Sequence, residues 1–284
     1  MGIGVVDSLK GGAQELASPN GLGVLGAFVA LAVANVVVVQ SIFLGVVQRA
    51  LARAGVEWSE AVSEVSGQAP GAVPIPMGVG FRGPESLFPE AIGIPLPAAV
   101  GLWVLIALLA EVVRVVGIRV FASDESGMPS GVFDSIGFTT LNSLIASLVA
   151  TLVVMLGAVL LIIPGIALAI LLEFVRQEVA LNDANPFEAL SNSYGHVKAN
   201  FLAVFVLGTV LFTLILLAGF GAGTVASGSS LPGLPSFVPA VVNTAVTVYA
   251  LAVMTDAYQQ AVGDRTSGGV SESETPSDAD GTPL

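Results

Sequence analysis

The chain has 284 residues, of which 54% are hydrophobic and 11% charged, and its formal net charge is −12. Soluble domains carry about 25% charged residues, so this composition excludes an ordinary soluble globule. The acidic balance excludes a nucleic-acid partner, because binding to phosphates requires a basic surface. Cysteine is absent and His196 is the single histidine, which excludes a cysteine nucleophile and thiolate or multi-histidine metal sites. We therefore expect an all-α, polytopic transmembrane helical bundle in a lipid bilayer, without a cofactor.

The charged residues are mostly acidic, and the chain's lysines are Lys10 and Lys198. Acid-rich, lysine-poor loops resemble those of haloarchaeal proteins, in which dense carboxylates keep the surface hydrated in concentrated salt. An ordinary acidic tail is the alternative explanation.

The apolar segments predict six membrane spans. A helix needs about 20 apolar residues to cross roughly 30 Å of hydrocarbon. The first segment is longer than the apolar region of a signal peptide and no cleavage site follows it, so we interpret it as an uncleaved signal-anchor. The fourth segment is the shortest and the least certain to cross fully. The predicted spans are about 22–47, 95–118, 141–163, 166–181, 201–225 and 237–262, within a transmembrane domain of residues 1–262.

Two polar segments flank these spans. Residues 49–94 connect the first two spans; residues 57–65 have helical spacing suited to the membrane interface, and the part rich in proline and glycine that follows is typical of a loop. Residues 263–284 are acidic and almost without large apolar side chains, which predicts a disordered tail.

The distribution of basic residues predicts the orientation in the cell membrane, because lysine and arginine accumulate in cytoplasmic loops. Cytoplasmic termini place more of these residues inside than outside, although Arg49 and Arg53, next to the first span, favour the opposite orientation. The inner set is Lys10, Arg114, Arg119, Arg176, Lys198 and Arg265, and the outer set is Arg49, Arg53 and Arg82.

Pro164 and Gly165 lie between the third and fourth spans. Proline lacks a backbone donor and clashes with the preceding turn, while glycine tolerates the positive φ of a chain reversal. The pair predicts a tight connection that makes the two spans a helical hairpin. A functional kink is the alternative.

A short amphipathic helix is predicted after the fourth span. Asn185 suits the N-cap, Pro186 the first helical position and Glu188 the capping box. One apolar face would lie along the cytoplasmic interface, and His196, on the same helix, is expected to be solvated. That face consists of Phe187, Leu190, Tyr194 and Val197.

The segment 162–205 resembles the core of the glycerophosphoryl diester phosphodiesterase membrane-domain group and related membrane families. The shared pattern is a span, Pro-Gly, a second span, an Ala-Leu-x-x-Ser helix ending in Lys-x-Asn, and another span, and it covers roughly residues 138–225. The resemblance implies a membrane module without the soluble phosphodiesterase domain that some members carry. The matching positions are Pro164, Gly165, Ala189, Leu190, Ser193, Lys198 and Asn200.

Ionisable residues inside the predicted spans form a candidate polar layer in the cytoplasmic half of the bilayer. Such groups cost about 2.5–3.5 kcal/mol at the bilayer centre, so they normally face the bundle and pair. The i, i+3 spacing lets Glu111 pair with Arg114 and Glu173 with Arg176. The layer either holds helices together or forms a solute or proton pathway or a lipid-headgroup site. Its residues are Glu111, Arg114, Glu173, Arg176, Glu178 and Asp256.

No nucleophile elbow, phosphate loop or clustered carboxylate motif is present, so enzymatic activity is not expected. The sequence favours a scaffold or accessory membrane module that meets a membrane or cytoplasmic protein partner. The alternative is a small-solute transporter or lipid-binding protein that uses the polar layer.

Overall fold

The computed structural model describes residues 2–57, 88–123, 128–227 and 234–268, and the regular elements in these ranges are α-helices. This confirms the all-α prediction. The helices are α1 (Val5–Ala17), α2 (Pro19–Ala54), α3 (Leu96–Phe121), α4 (Ile136–Leu160), α5 (Ile162–Leu171), α6 (Val175–Asn182), α7 (Pro186–Ala199), α8 (Phe201–Ser227) and α9 (Leu234–Gly268).

Five helices of the described part are long and apolar enough to cross a membrane. These segments are Pro19–Ala54, Leu96–Phe121, Ile136–Leu160, Phe201–Ala226 and Pro235–Gly263. Their surfaces expose large apolar side chains: Trp103 is 45% exposed and Leu156 is 65% exposed. Apolar surface on this scale requires a lipid environment. The protein is therefore a multi-pass helical membrane protein.

The chain divides into two compact units. Unit one comprises Met1–Leu22, Val115–Phe212 and Tyr249–Leu284, and unit two comprises Gly23–Arg114 and Thr213–Val248.

Two apolar clusters form the main core of unit one. In the first, Phe174 packs with side chains of α8 and α9, including Leu207 and Val253. In the second, Ala146 of α4 packs with Val179 of α6. Helix α6 contacts both α4 and α7, so its eight residues are held by two helices.

Helix α1 was not predicted from the sequence, and small residues explain why. Gly12 lies so close to α9 that a Cβ there would be 2.7 Å from the backbone nitrogen of Val253. Ser8, one turn earlier, is fully buried and accepts a hydrogen bond from Gln260 Nε2 at 3.1 Å. A helix that is held by close backbone approach does not produce the long apolar run by which spans are recognised.

The structure contains the predicted hairpin, but its glycine has a different role. Helix α4 ends at Leu160, and Leu161 is extended with φ −160°. Gly165 lies within α5, where a Cβ would be only 2.6 Å from the Cα of Ala158. Positive φ in the described glycines occurs at Gly55 and Gly131. Gly165 is therefore required for close packing of α5 on α4, and the reversal occurs at Leu161.

The predicted fourth span, 166–181, is not a continuous helix. Helix α5 ends at Leu171 and α6 begins at Val175. The two short helices run antiparallel to α4: Gly165 lies beside Ala158, whereas Thr139 bonds to Asp183. The chain thus returns along α4 as a broken helix. Instead of six continuous spans, the described residues form five long helices and the short pair α5–α6.

In unit two, polar side chains of α2 hold the segment that leads to α3. Gln40 accepts a hydrogen bond from the Glu90 backbone N–H at 3.0 Å, and Ser41 Oγ accepts one from Ile92 at 2.9 Å. Gln40 also donates to Ser236 Oγ of α9 at 3.2 Å. Polar residues of the first span therefore bond across elements.

Two predicted segments lie partly or wholly outside the described residues. The interfacial helix at 57–65 and the loop after it fall almost entirely within residues 58–87. Helix α9 continues to Gly268, so the tail predicted from residue 263 begins too early, because the helix persists through the first polar residues. Residues 269–284 are outside the described part.

Candidate functional site

The predicted pair in α3 is present in unit two. Arg114 Nη1 donates to the carboxylate of Glu111, three residues earlier on the same helix. The Glu111 side chain is 5% exposed and that of Arg114 is 28% exposed. The arginine thus neutralises a buried carboxylate within one helix, as the spacing predicts.

The other candidate residues of the polar layer lie in unit one with different surroundings. Glu173 and Arg176 are exposed where α5 gives way to α6, and Glu178 is buried. Asp256 accepts a hydrogen bond from Gln260 Nε2 at 2.7 Å and lies beside Gly11. The described partners of Glu178 and Asp256 share no residue. A single layer that links all six residues stays a prediction.

A polar cluster surrounds the buried Glu178 where α6, α7 and α9 meet. Glu178 Oε1 accepts a hydrogen bond from the Tyr258 hydroxyl at 3.0 Å and lies 3.1 Å from His196 Nε2. Glu178 Oε2 accepts from Asn182 Nδ2 at 3.1 Å and from Asn192 Nδ2 at 3.2 Å. We call these five residues, Glu178, His196, Tyr258, Asn182 and Asn192, the Glu178 cluster.

The aromatic rings of the cluster fix its geometry. The Tyr258 ring makes an edge contact with Phe174 at 5.5 Å and another with His196 at 5.9 Å. Asn182 Nδ2 also donates to the Tyr258 hydroxyl at 2.7 Å, in addition to its bond with Glu178. Tyr258 is thereby held at both its ring and its hydroxyl.

The chemistry of the Glu178 cluster is that of a stabilised buried carboxylate. A carboxylate offers about four lone-pair positions, and here four polar groups approach its two oxygens. Charge-assisted hydrogen bonds of this kind are the strong ones in proteins. The described residues contain no group of three or more His, Cys, Asp or Glu side chains that could hold a metal ion. The Glu178 cluster can therefore hold the negative charge of the carboxylate and a proton.

Ser193 explains why α5 and α6 are separate helices. Its hydroxyl accepts a hydrogen bond from the Phe174 backbone N–H at 3.1 Å and donates to the Leu171 carbonyl at 3.1 Å. In a continuous helix these two backbone groups would bond within the helix. Non-helical backbone inside a membrane protein needs such replacement partners. Ser193 of α7 therefore supplies the hydrogen-bond partners that these two backbone groups lack at the break.

Other positions of the motif noted in the sequence also have packing or capping roles. Ala189 is fully buried against α4 and α6, with Leu190 packed beside that cluster. Lys198 lies 5.6 Å from the Tyr194 ring centroid. Asn200 ends α7, and its Nδ2 donates to the His196 carbonyl at 3.3 Å. The motif therefore describes how α7 is attached to its neighbours.

The start of α7 agrees with its prediction, and the residues of its predicted apolar face are divided between an exposed and a buried side. Asn185 Oδ1 accepts hydrogen bonds from the backbone N–H groups of residues 187 and 188, with Pro186 in the first turn. Phe187 is 75% exposed and Tyr194 is 46% exposed. The small residues pack closely on α6 and α4 instead, which turns the aromatic side chains outward. The buried positions are Ala189, Ser193 and Val197.

His196 is largely enclosed by the protein, contrary to the expectation of a solvated residue. Its side chain is 12% exposed and contacts Glu178. The close packing of Ala189 and Ser193 draws the adjacent histidine into the interior with them. His196 follows Asn192 by one helical turn, a spacing that could have indicated a second polar position on the buried side of α7.

Arg119 is a further residue whose role the sequence did not reveal. Its Nε donates to the Ala180 carbonyl at 2.8 Å, and its Nη1 donates to the carbonyls of Val132 at 3.1 Å and Asp134 at 2.7 Å. Its Nη2 donates to Thr139 Oγ1 and Asp183 Oδ1. Five donors therefore tie α3 to α4 and to the α6–α7 connection.

An open groove of about 420 Å³ lies beside Arg119, with Ser130 and Asp183 also in its wall. Because the Asp183 carboxylate pairs with Arg119 and Asp134 also lines the groove, the positive charge offered to an anionic ligand is offset.

No protein-family model, curated protein or solved structure matches this chain.

Proposed function

We propose that this protein is a non-enzymatic scaffold or accessory module of the cell membrane, with both termini in the cytoplasm. The observation that carries the proposal is that two polar centres of unit one, at Glu178 and at Arg119, are bonded to protein groups. Glu178 receives four polar partners, and Arg119 uses five donors on protein oxygens. Groups satisfied in this way stabilise a closed bundle and do not coordinate a passing solute.

The Glu111–Arg114 pair supports the same interpretation in unit two. Its charges cancel within a single helix, so neither side chain needs a substrate as counter-ion. The two units thus use short-range pairing for charges that would otherwise be costly in a membrane.

We also propose that the chain is related to the glycerophosphoryl diester phosphodiesterase membrane-domain group. Support comes from the role of the shared positions. Gly165 allows α5 to pack on α4, and Ser193 satisfies the break between α5 and α6. The shared positions thus specify a local fold, as we expect for a family whose members share a membrane architecture.

The exposed face of α7 is the proposed contact for a membrane or cytoplasmic protein partner. Phe187 and Tyr194 remain exposed, although both are large aromatic side chains. Aromatic residues are enriched at the centres of protein interfaces. In the proposed orientation this face lies on the cytoplasmic side.

Native mass spectrometry of the tagged full chain, extracted gently from its own membranes, tests this function. A scaffold predicts a stoichiometric protein partner that is lost in the Phe187→Ala/Tyr194→Ala variant. The matched control is Phe212→Ala/Phe220→Ala, which removes exposed aromatics from the apolar helix α8. Retention of the partner by the α7 variant, or its loss from the α8 control, contradicts the proposed contact.

A lipid-binding or small-solute transport function is the second candidate. The exposed Glu173 and Arg176 favour it, because they lie at a helix break, where transporters often bind their ligands. The same mass spectra distinguish the two functions. A specific lipid or small molecule retained by the wild type and lost from Glu173→Gln/Arg176→Gln would support the second candidate against the scaffold.

A further inference from the structure

We propose that Glu178 and His196 form a binding site for one proton, and that this proton determines how firmly α7 is held on α6 and α9. The inference goes beyond the proposed function and does not depend on it. It rests on the contact between the two side chains, on their burial, and on the arrangement of the remaining groups around them.

The contact places an imidazole nitrogen directly on a buried carboxylate oxygen. His196 Nε2 lies 3.1 Å from Glu178 Oε1, and the Glu178 side chain is only 1% exposed. The three other partners of Glu178, namely Tyr258, Asn182 and Asn192, are neutral donors. A proton on His196 therefore supplies the positive charge within this cluster that balances the buried carboxylate.

The elements packed around His196 contribute few other charges to the cluster, and on α1 the charged Asp7 and Lys10 are exposed. Helices α4 and α5 contain no titratable residue, and α9 presents Tyr258 to the cluster. Asp256, also on α9, bonds to Gln260 and lies against α1. On α7 itself, Lys198 lies by the Tyr194 ring and Glu188 accepts from Asn185 Nδ2. On α6, Arg176 is exposed and acts on Glu173.

The proton comes from water and returns to it. The His196 side chain is 12% exposed and that of Glu178 is 1% exposed, so the imidazole lies closer to the surface, although its Nδ1 is buried. Removing its proton leaves a charged carboxylate in the interior with neutral donors alone. Such a charge is costly when its counter-charge is lost.

The direction of the pH effect follows from this balance. The neighbouring carboxylate favours the charged imidazole, so the folded chain binds the proton more tightly than the unfolded chain. The stabilising contribution is complete below about pH 6.5, the ordinary value for histidine. It is lost as the pH rises through the higher midpoint of the folded chain. Helix α7 is therefore held firmly at low pH and more loosely at high pH.

The chain offers a direct measurement because His196 is its single histidine. Full-length protein labelled with ¹⁵N-histidine, in phospholipid nanodiscs, gives one imidazole to follow by NMR between pH 5 and 9. We expect one transition with a midpoint above about 6.5. Absence of a transition in this range, or a midpoint below that value, overturns the proposal.

Two variants test the role of the carboxylate. Glu178→Gln preserves the shape and removes the charge, so the midpoint should fall by at least about one pH unit, a tenfold loss of proton affinity. Tyr258→Phe removes a competing donor from Oε1 and should raise the midpoint. The control, Glu188→Gln, changes an exposed carboxylate on the same helix and should leave it in place. An unchanged midpoint in both Glu178→Gln and Tyr258→Phe overturns the assignment. If Glu178→Gln fails to fold, Tyr258→Phe alone decides.

A second readout follows α7 itself. Because the chain has no cysteine, a spin label at Ser191→Cys reports the motion of α7 alone. We expect label mobility to increase above the histidine midpoint, and to become independent of pH when His196→Gln replaces the titrating ring with a fixed amide donor. A pH-independent label in the wild type, or the same pH response in the His196→Gln background, contradicts the coupling.

Discussion

The hydroxyl of Ser193 lies 3.1 Å from the backbone nitrogen of Phe174 and occupies the position that an intrahelical carbonyl would otherwise take. The same hydroxyl donates to the Leu171 carbonyl, so one side chain satisfies both backbone groups of the helix break. Helix α7 thereby determines the path of α5 and α6, and the charged residues near the break take their positions from it.

Replacing Ser193 with alanine should destabilise the protein strongly. The Phe174 N–H and the Leu171 carbonyl would both lose their partner, at about 1–3 kcal/mol for each unsatisfied buried group. Ser191→Ala, at an exposed position on the same helix, should change the free energy of unfolding by less than about 0.5 kcal/mol. Thermal unfolding in detergent micelles checks the difference. Equal effects of the two substitutions would contradict the role of Ser193.

Arg119→Lys should also be destabilising, although it conserves the charge. A lysine has three donors on one nitrogen and cannot reproduce the fork that reaches three carbonyls and two side chains. We expect the free energy of unfolding to fall by about 1.5–3 kcal/mol, the range for hydrogen bonds to charged groups. The matched change at an exposed arginine, Arg176→Lys, should cost less than about 0.5 kcal/mol in the same unfolding assay. A tolerated Arg119→Lys would show that the guanidinium geometry is dispensable.

Gly165→Ala tests the close approach of α5 to α4. The added methyl would meet the backbone of Ala158 at 2.6 Å, so the helices must separate, at a cost of about 1–3 kcal/mol. Gly101→Ala in α3 is the control, because a Cβ there meets nothing within 4 Å. The control should stabilise its helix by up to about 1 kcal/mol, since alanine is the better helix former. Denaturation measurements should therefore show a lower free energy of unfolding for Gly165→Ala and a higher one for Gly101→Ala. A stabilising effect of Gly165→Ala would contradict the packing role of Gly165.

The proposed orientation predicts the labelling of single cysteines in intact cells. Ser191→Cys on α7 should react only after the membrane is permeabilised, and Gly93→Cys, between the first two spans, should react with an impermeant reagent from outside. Both positions are exposed, so accessibility depends on the side of the membrane. The reverse pattern would place the termini outside.

Hydropathy predicts the long helices well because lipid exposure requires long apolar runs. Leu96–Phe121 and Phe201–Ser227 agree with their predicted spans to within a few residues. The i, i+3 spacing also predicts the Glu111–Arg114 pair, since both residues belong to one helix. Interactions within a helix can be recognised from a single sequence.

Contacts between distant residues could not be predicted in this way. Glu178 and Tyr258 are 80 positions apart, and their hydrogen bond depends on how α6 and α9 pack. The burial of His196 likewise follows from the small side chains of Ala189 and Ser193, which bring α7 close to α6. The residue types of α7 alone do not show which of its apolar side chains, such as the exposed Phe187 or the buried Val197, pack against the bundle.

In the proposed scaffold, the polar groups of unit one lie in an interior that is closed to water. The most direct test introduces cysteine at two buried polar positions, Thr140 and Gln177, which are 6% and 3% exposed. A water-soluble thiol reagent should modify Thr140→Cys and Gln177→Cys far more slowly than Ser191→Cys in folded protein in nanodiscs, and all three should react equally after denaturation. Rapid modification of both buried cysteines in the folded protein would reveal a water-filled pathway and contradict the account.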